Sequence, residues 1–463
     1  MNIRSPFLIF LLLLPPLTGS AQMNQIYEQH CAVCHGKQGE DGLGGSLVDG
    51  KWTHGESDEA KTRVIREGIP HMGMQAFKNT LTEKEIRGLI VYMRELETRA
   101  NPPSRPPVNE GIHTTQHQQF TIETITENSA NMWGVSFLPD GWKIVTEIDG
   151  SVRLINPDGT LHPPLENTPK IVRRGQGGML DVAVHPDYNK NGWVYLSFAE
   201  GENHQSITSV VRGRLRENQW VDEEVIYRAD PRFRSGAGVH FGTRIVFKDG
   251  YVYFAIGDRG AQQQARDLLR PNGKIHRLHE DGRIPDDNPF IEKDTLPTVW
   301  SCGHRNPQAL AFHPETGNLW STEHGPRGGD ELNRILPGRD YGWPKVTHGV
   351  NYNGTPITEH TDLPGIEPPV WHWTPSIAVC GMAFADPDTY PGWGTDILAG
   401  GLRAQVLERL RINAEDQVAE REVILKDLGR VRDVKTGPNG FLYVILEGNG
   451  SRLIRLVPAN RQD

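Results

Sequence analysis

One pattern recurs six times in residues 120–463, and it limits the architecture more than any other feature of the chain. An alternating apolar strand runs into a Pro, Asp or Gly turn. A second apolar strand follows, and the unit ends on an acidic or glycine corner. The copies begin at Gly134 (GVSFLPDGWKIVTEIDGSVRLI), Leu180 (LDVAVHPDYNKNGWVYLSFAEG) and Thr243 (TRIVFKDGYVYFAIGDRG). The others begin at Ala309 (ALAFHPETGNLWSTEHG), Gly381 (GMAFADPDTYPGWGTDILAGG) and Val431 (VRDVKTGPNGFLYVILEGNG). Period-two alternation bounded by tight turns predicts hairpins. Several start-to-start intervals suit four-stranded blades, and the rest leave room for long loops. The expected fold is mainly β, a six-bladed β-propeller preceded by a small all-α domain. Such rings bind ligands over the central channel, so function is expected at matching corners of different copies.

The 50 Gly and 33 Pro among 463 residues agree with a turn-rich β architecture. The net charge of −9 argues against nucleic acid as a partner, because phosphate binding needs a basic face. An anionic ligand would need locally clustered Arg or Lys.

Ahead of the repeats lie three shorter zones. Arg4, the apolar run Phe7 to Leu14 and the small residues Gly19-Ser20-Ala21 read as a signal peptide over residues 1–21. That run is too short to span a bilayer, and the expected location of the mature protein is a periplasm. Residues 22–98 form a compact, partly helical zone. Thr82 and Glu85 have capping-box spacing, and Ile86, Leu89, Ile90 and Met93 then fall on one helix face. Residues 99–119 hold Pro102, Pro103, Pro106 and Pro107 among polar residues and predict an extended linker.

Cys31-Ala32-Val33-Cys34-His35 is a C-x-x-C-H sequence. Two thiols at this spacing can bond the two vinyl groups of one haem c, while His35 presents its imidazole to the iron. A zinc or thioredoxin-like reading lacks a second ligand pair or a βαβ context. His71, Met72 and Met74 are candidates for the sixth ligand. The run Gly73 to Phe77 (GMQAF) followed by the capped helix resembles class I cytochromes c, and that resemblance selects Met74. Met/His ligation suits electron transfer, so a redox donor is expected in the β zone.

Electropositive residues of the β zone stand at the boundaries between copies. Arg305 lies in GHRNPQ, Arg403 in GLR, and Arg430 and Arg432 in RVRDV. Four Arg at loop corners of an acidic protein can converge on a polyanion, or each can pair with a nearby carboxylate. His240 in VHFGTR can be a general base tuned near neutrality or a structural histidine. EHGP (Glu323 to Pro326) precedes GGDE (Gly328 to Glu331), where exposed carbonyls and Asp330 and Glu331 suit calcium or simply a solvated loop.

Together GQGGMLDVAVHPDY (from Gly175), AIGDRG (from Ala255), GHRNPQALAFHP (from Gly303), EHGPRGGDELN (from Glu323), YGWP (from Tyr341), GLR and RVRDV carry a resemblance to the soluble PQQ-dependent glucose and aldose sugar dehydrogenases. It covers nearly all of residues 120–463 and implies a six-bladed propeller that oxidises an aldose. It implies that His240 is the base for the anomeric hydroxyl, with Asp258 near it. Arg305 would stabilise developing charge, and Gln176, Arg305, Asn306, Arg403, Arg430 and Arg432 would bind PQQ. It further implies calcium held by the Gly325 and Pro326 carbonyls, and a second calcium at Glu331 and Tyr341. Trp371 and Trp373 would wall the cofactor pocket or serve as core aromatics.

Val239 and His324 stand where the glucose enzyme has Asp and Gln, and its long substrate loops and dimer-building insertions are not evident. A broad aldose range and a monomer are therefore expected. Cys302 and Cys380 are expected as buried thiols or a disulfide. The expected partners are an aldose substrate and an external electron acceptor taking electrons from the haem. Two rival readings stay open: a calcium-dependent lactonase-type propeller, and a non-catalytic carbohydrate-binding or redox-sensing propeller.

Overall fold

The computed structural model describes residues 19–40, 42–101, 111–291 and 294–459, with side chains from Met23 onward. The signal-peptide reading rests on a segment of which residues 1–18 lie outside the described residues. The chain forms two compact units, one of the residues up to Asn101 together with Val350–Pro356 and the other carrying the sheets.

The smaller unit is helical. Helices Gly19–His30, Ala32–His35, Asp58–Glu67 and Glu83–Ala100 surround one apolar cluster. The capping box is formed in full: the Thr82 hydroxyl accepts from the Glu85 N–H, and the Glu85 carboxylate accepts from the Thr82 N–H. Ile86, Leu89, Ile90 and Met93 are all buried, as their spacing requires. Gly88 lets the first and last helices cross closely, since a Cβ there would lie 2.5 Å from the Met23 sulfur. The last helix runs to Ala100, two residues into the segment read as linker.

The larger unit holds six antiparallel sheets. Blades one to five are Met132–Pro164, Met179–Tyr227, Ile245–Cys302, Pro307–Trp373 and Val379–Lys426, each with four strands in chain order. Blade six takes Arg430–Thr436, Leu442–Gly448 and Gly450–Pro458 from the C-terminal end, then Gln119–Asn128 from the start of the unit. Each first strand packs against the first strands of its two neighbours, and the sixth returns to the first, which closes the ring. The six hairpins read from sequence supply the first two strands of the six blades. Apolar faces meet between blades: Met382 and Ile397 of blade five pack on Trp320 and Leu332 of blade four. Each such side chain, fully buried, contributes roughly 1.5–3 kcal/mol.

The seam of blade six is long. Phe120 opposes Pro458, and the ladder continues to Asn128 opposite Ser451. His113–Thr114 adds a fifth strand, and Thr115 to His117 bond to blade five through Trp393, Glu422 and Glu420. Residues 111–119 thus belong to the propeller unit, and of the predicted linker only 102–110 lie outside the described residues. Polar partners rather than apolar burial fix this stretch, which is why its composition resembles a tether.

Arg244 plugs the channel. Its guanidinium meets Asp181 at 2.9 Å and Asp433 at 3.0 Å, donates to the Gln308 and Arg432 carbonyls, and lies over the Trp133 ring. Four blades are thereby tied to one buried cation.

Candidate active site

In an antiparallel blade, the loop from second to third strand and the loop entering the next blade fall at the same end. All the candidate residues carried by such loops therefore share one rim. Gln176, His240 and Arg305 precede the first strands of blades two, three and four. Asp258, His324 to Pro326, and Arg403 follow second strands of blades three, four and five.

The centre of this rim is a buried dyad. His240 Nδ1 lies 2.6 Å from Asp258 Oδ1, with Asp258 fully buried. Asp258 also accepts from the Gly260 N–H at 2.7 Å and the Trp343 indole N–H at 2.7 Å. Burial pushes its carboxyl up, but the His240 hydrogen bond and charge, the Gly260 bond and Arg305 outweigh this and hold it below the usual carboxylate range. An ionised Asp258 makes Nδ1 the protonated nitrogen and leaves Nε2 with its lone pair.

His240 has φ +53°, a left-handed conformation that a bulky residue adopts only when held. Two contacts hold it. The Gln176 side-chain oxygen accepts the His240 backbone N–H at 2.8 Å, and the Arg259 guanidinium bonds the Val239 and Ala237 carbonyls. Burial, then the Arg305 charge, lowers the His240 pKa, and this exceeds the upward pull of Asp258. A base must be neutral to work, so the acid limb of any His240-dependent rate is expected below about pH 6.5, the ordinary histidine value. A pH profile of kcat/KM checks this, and a limb above that value would contradict it.

Arg305 is buried, with its backbone N–H donated to Glu323 and its guanidinium to the His324 carbonyl at 2.9 Å. Its charge acts on His240 and on His324. The Asn306 side-chain oxygen accepts from Gly242 N–H, which ties blade four to the His240 turn. His324 is half-buried, and desolvation followed by the Arg432 and Arg305 charges drives its pKa down to about 3, so it is neutral. Arg430 and Arg432 both bond Glu447, at 3.3 and 2.6 Å. Here the paired-carboxylate alternative for these two Arg is what the structure contains. Arg403 is exposed on the blade-five corner.

Other candidates behave differently. Trp373 is a core residue between blades four and five, its indole N–H donated to Glu408, and Trp371 packs on the same cluster. Both sit on the outermost strand of blade four. Cys302 and Cys380 are buried free thiols, and burial pushes Cys302 up to about 12.

In the helical unit, His35 Nδ1 lies 2.9 Å from the Gly45 carbonyl, and Gly44 passes so close beneath the ring that a Cβ would meet it at 2.6 Å. The ring is therefore oriented with Nε2 free for a ligand bond. Met74 packs with Cys31, Ala32 and Leu47 against the apolar cluster, whereas Met72 is 65% exposed.

Residues 129–455 match the family model for glucose/sorbosone dehydrogenase. The chain belongs to the glucose/sorbosone dehydrogenase family. It is 38% identical over 348 residues to the aldose sugar dehydrogenase YliI of Escherichia coli K12, covering 73% of this chain and 93% of that one. The crystal structure of the soluble aldose sugar dehydrogenase from Escherichia coli in the apo-form superposes with a TM-score of 0.69 at 36% identity, over 73% of this chain and 99% of that one. The PQQ-bound aldose sugar dehydrogenase of Streptomyces coelicolor superposes at 0.61 with 25% identity, over 73% and 98%. Residues 20–93 match the model for subunit III of the cbb3-type cytochrome c oxidase.

As a glucose/sorbosone dehydrogenase, the chain is an oxidoreductase with a cytochrome c domain ahead of its propeller. Sequence reasoning missed Trp343, Arg259 and Glu447. Trp343 lies inside the YGWP string, but nothing in that string says what it touches.

The calcium residues fit unevenly. The Pro326 carbonyl already accepts from the Gly329 N–H and the Ser376 hydroxyl, which occupies both lone pairs. The Gly325–Pro326 turn therefore does not offer the expected pair of open carbonyls. The Tyr341 hydroxyl is committed to the Arg334 carbonyl and the Leu336 N–H. Glu331 stands opposite Glu323, and burial, then the Glu323 charge, pushes its carboxyl up. Among the described residues, no group of three or more His, Cys, Asp or Glu side chains gathers as a metal site.

Proposed function

We propose that this protein is a periplasmic quinohaemoprotein that oxidises aldoses at C1 to lactones and delivers the electrons to its own cytochrome domain. The observation that carries the reading is the buried His240–Asp258 dyad beside Arg305, on a rim that also bears Arg403, Arg430 and Arg432. The names of the relatives support the substrate class, and the PQQ-bound Streptomyces coelicolor neighbour supports the cofactor.

PQQ carries three carboxylates and, when bound, supplies a two-electron acceptor for the hydride of the anomeric carbon. The guanidinium groups of Arg403, Arg430 and Arg432 suit those carboxylates, with Glu447 keeping the last two aligned until the ligand competes for them. His240 Nε2 takes the proton of the anomeric hydroxyl, and Asp258 stabilises the imidazolium that results. Arg305 offers fixed positive charge where negative charge develops. Gln176 keeps the His240 backbone in place, and Asn306 keeps the turn beneath it. A divalent cation beside Glu331 would relieve its repulsion with Glu323; the catalytic scheme does not depend on it.

Cys31 and Cys34 would hold haem c covalently, His35 and Met74 would bind its iron, and the group would supply a one-electron carrier. His35 is already oriented for this role by Gly45. The next acceptor is an external redox partner, and the protein works as a monomer after removal of residues 1–21.

The test uses the purified full chain with PQQ and calcium. On adding aldoses, the reduced-haem absorption bands are expected to appear, and the haem is expected to stay with the polypeptide after denaturation. Haem that stays oxidised with every aldose would overturn the coupled reading.

A further inference from the structure

Blade four carries a long insertion between its third and fourth strands, residues 336–370, and its first part does not stay with blade four. It runs along the outer strand of blade three: Gly338 N–H donates to the Trp300 carbonyl, Cys302 N–H to Arg339, Tyr341 N–H to Cys302 and Trp343 N–H to Gly303. Arg266 anchors this stretch through a 2.6 Å ion pair to Asp340. The result is that Trp343 is delivered, almost fully buried, beneath the rim.

There it touches two groups at once. Its indole N–H donates to Asp258 Oδ2 at 2.7 Å, while Oδ1 of the same carboxylate holds His240. Its ring lies under the Arg305 guanidinium, 5.4 Å from the centroid, a cation–π distance. Asp258 has one further donor, Gly260 N–H, on the His240 side. Among the described residues, the indole is the hydrogen-bond donor that fixes the Oδ2 side of the carboxylate.

We propose that Trp343 is a positioning residue for the reaction: its N–H locks the Asp258 rotamer, and through it the His240 ring, while its face seats Arg305. The insertion thereby sets the spacing between base and charge-stabilising group, although it contributes neither. This rests on the reading of His240 as the base, but its first test does not need turnover.

The variant is Trp343→Phe, which keeps an aromatic face under Arg305 and removes only the donor. The titratable and charged groups facing His240 are Asp258, Arg305, Arg259 and the neutral His324, all retained. With the indole bond gone, the Asp258 charge is less shared and pulls harder on the imidazolium, so the His240 pKa rises. Nitrogen-15 histidine NMR of the full chain without added PQQ, assigned with His240→Asn, is expected to show that pKa moved up by about half to one pH unit. In the reconstituted enzyme, kcat is expected to fall about tenfold with KM for the aldose within about twofold, and the acid limb to move up by the same amount.

Trp343→Leu, which also removes the face, is expected to lose more kcat than Trp343→Phe. An unchanged His240 titration in folded Trp343→Phe overturns the inference, whatever the enzyme's activity. A shifted titration in a protein that oxidises no aldose would leave this positioning intact and remove the proposed function instead.

Discussion

His240→Asn is expected to lower kcat by roughly a hundredfold to ten-thousandfold, the range for losing a general base. Asn is the informative replacement because position 240 has φ +53°. Asn tolerates the left-handed region better than most residues, whereas Ala would add backbone strain to the chemical loss. The Gln176 bond is to the backbone N–H and survives the change. The arginines on the rim also survive, so PQQ affinity, read by quenching of tryptophan fluorescence, is expected within about threefold of wild type. The direction with pH is equally specific. Wild type loses rate as pH falls through a depressed His240 pKa; His240→Asn has no such limb. Turnover above about a tenth of wild type would show that the proton goes elsewhere.

The second large effect is on stability. Arg244→Leu is expected to cost about 3–5 kcal/mol, measured by denaturant unfolding of the propeller unit. The guanidinium is buried between Asp181 and Asp433 and lies over Trp133. Removing it strands two carboxylates in the channel, and the penalty is their uncompensated burial rather than the value of the pair. Burial already pushes the Asp433 carboxyl up, against the pull of Arg244. Without Arg244 the folded form prefers it protonated still more strongly. A raised folded pKa gives stability at low pH that is lost as pH rises through it. The deficit of the variant should therefore be largest at neutral pH and narrow on acidification. Adding Asp181→Asn and Asp433→Asn to Arg244→Leu should recover part of the loss. A deficit that is flat with pH would mean that lost packing on Trp133, not charge, sets the cost.

The ring was legible because its signal is local. Alternation in LDVAVHP or LYVILEG needs only neighbours to be read, and six such hairpins appear where six blades stand. The same holds for the capped helix over Thr82 and Glu85. The dyad was half legible: His240 and Asp258 lie 18 residues apart across one blade, and resemblance rather than periodicity brought them together. Trp343 was not legible, since it reaches Asp258 across 85 residues through an insertion that pairs with the wrong blade. Glu447 was hidden for a similar reason, because its partners Arg430 and Arg432 lie across a hairpin and a lone Glu has no pattern. The linker boundary failed for a different cause. Residues 111–118 are held by His117, Gln116 and Thr115 bonding to blade five, and a search for apolar burial does not see such bonds.

The seam of blade six has one more consequence. The strand Gln119–Asn128 is the last piece needed to complete the circle, and it lies immediately downstream of the junction with the haem module. Anything joined upstream of Gly111 can be exchanged without opening the toroid. Residues 111–463 are accordingly expected to close the ring and fold without the helical domain, which expression of that segment and its unfolding curve would check.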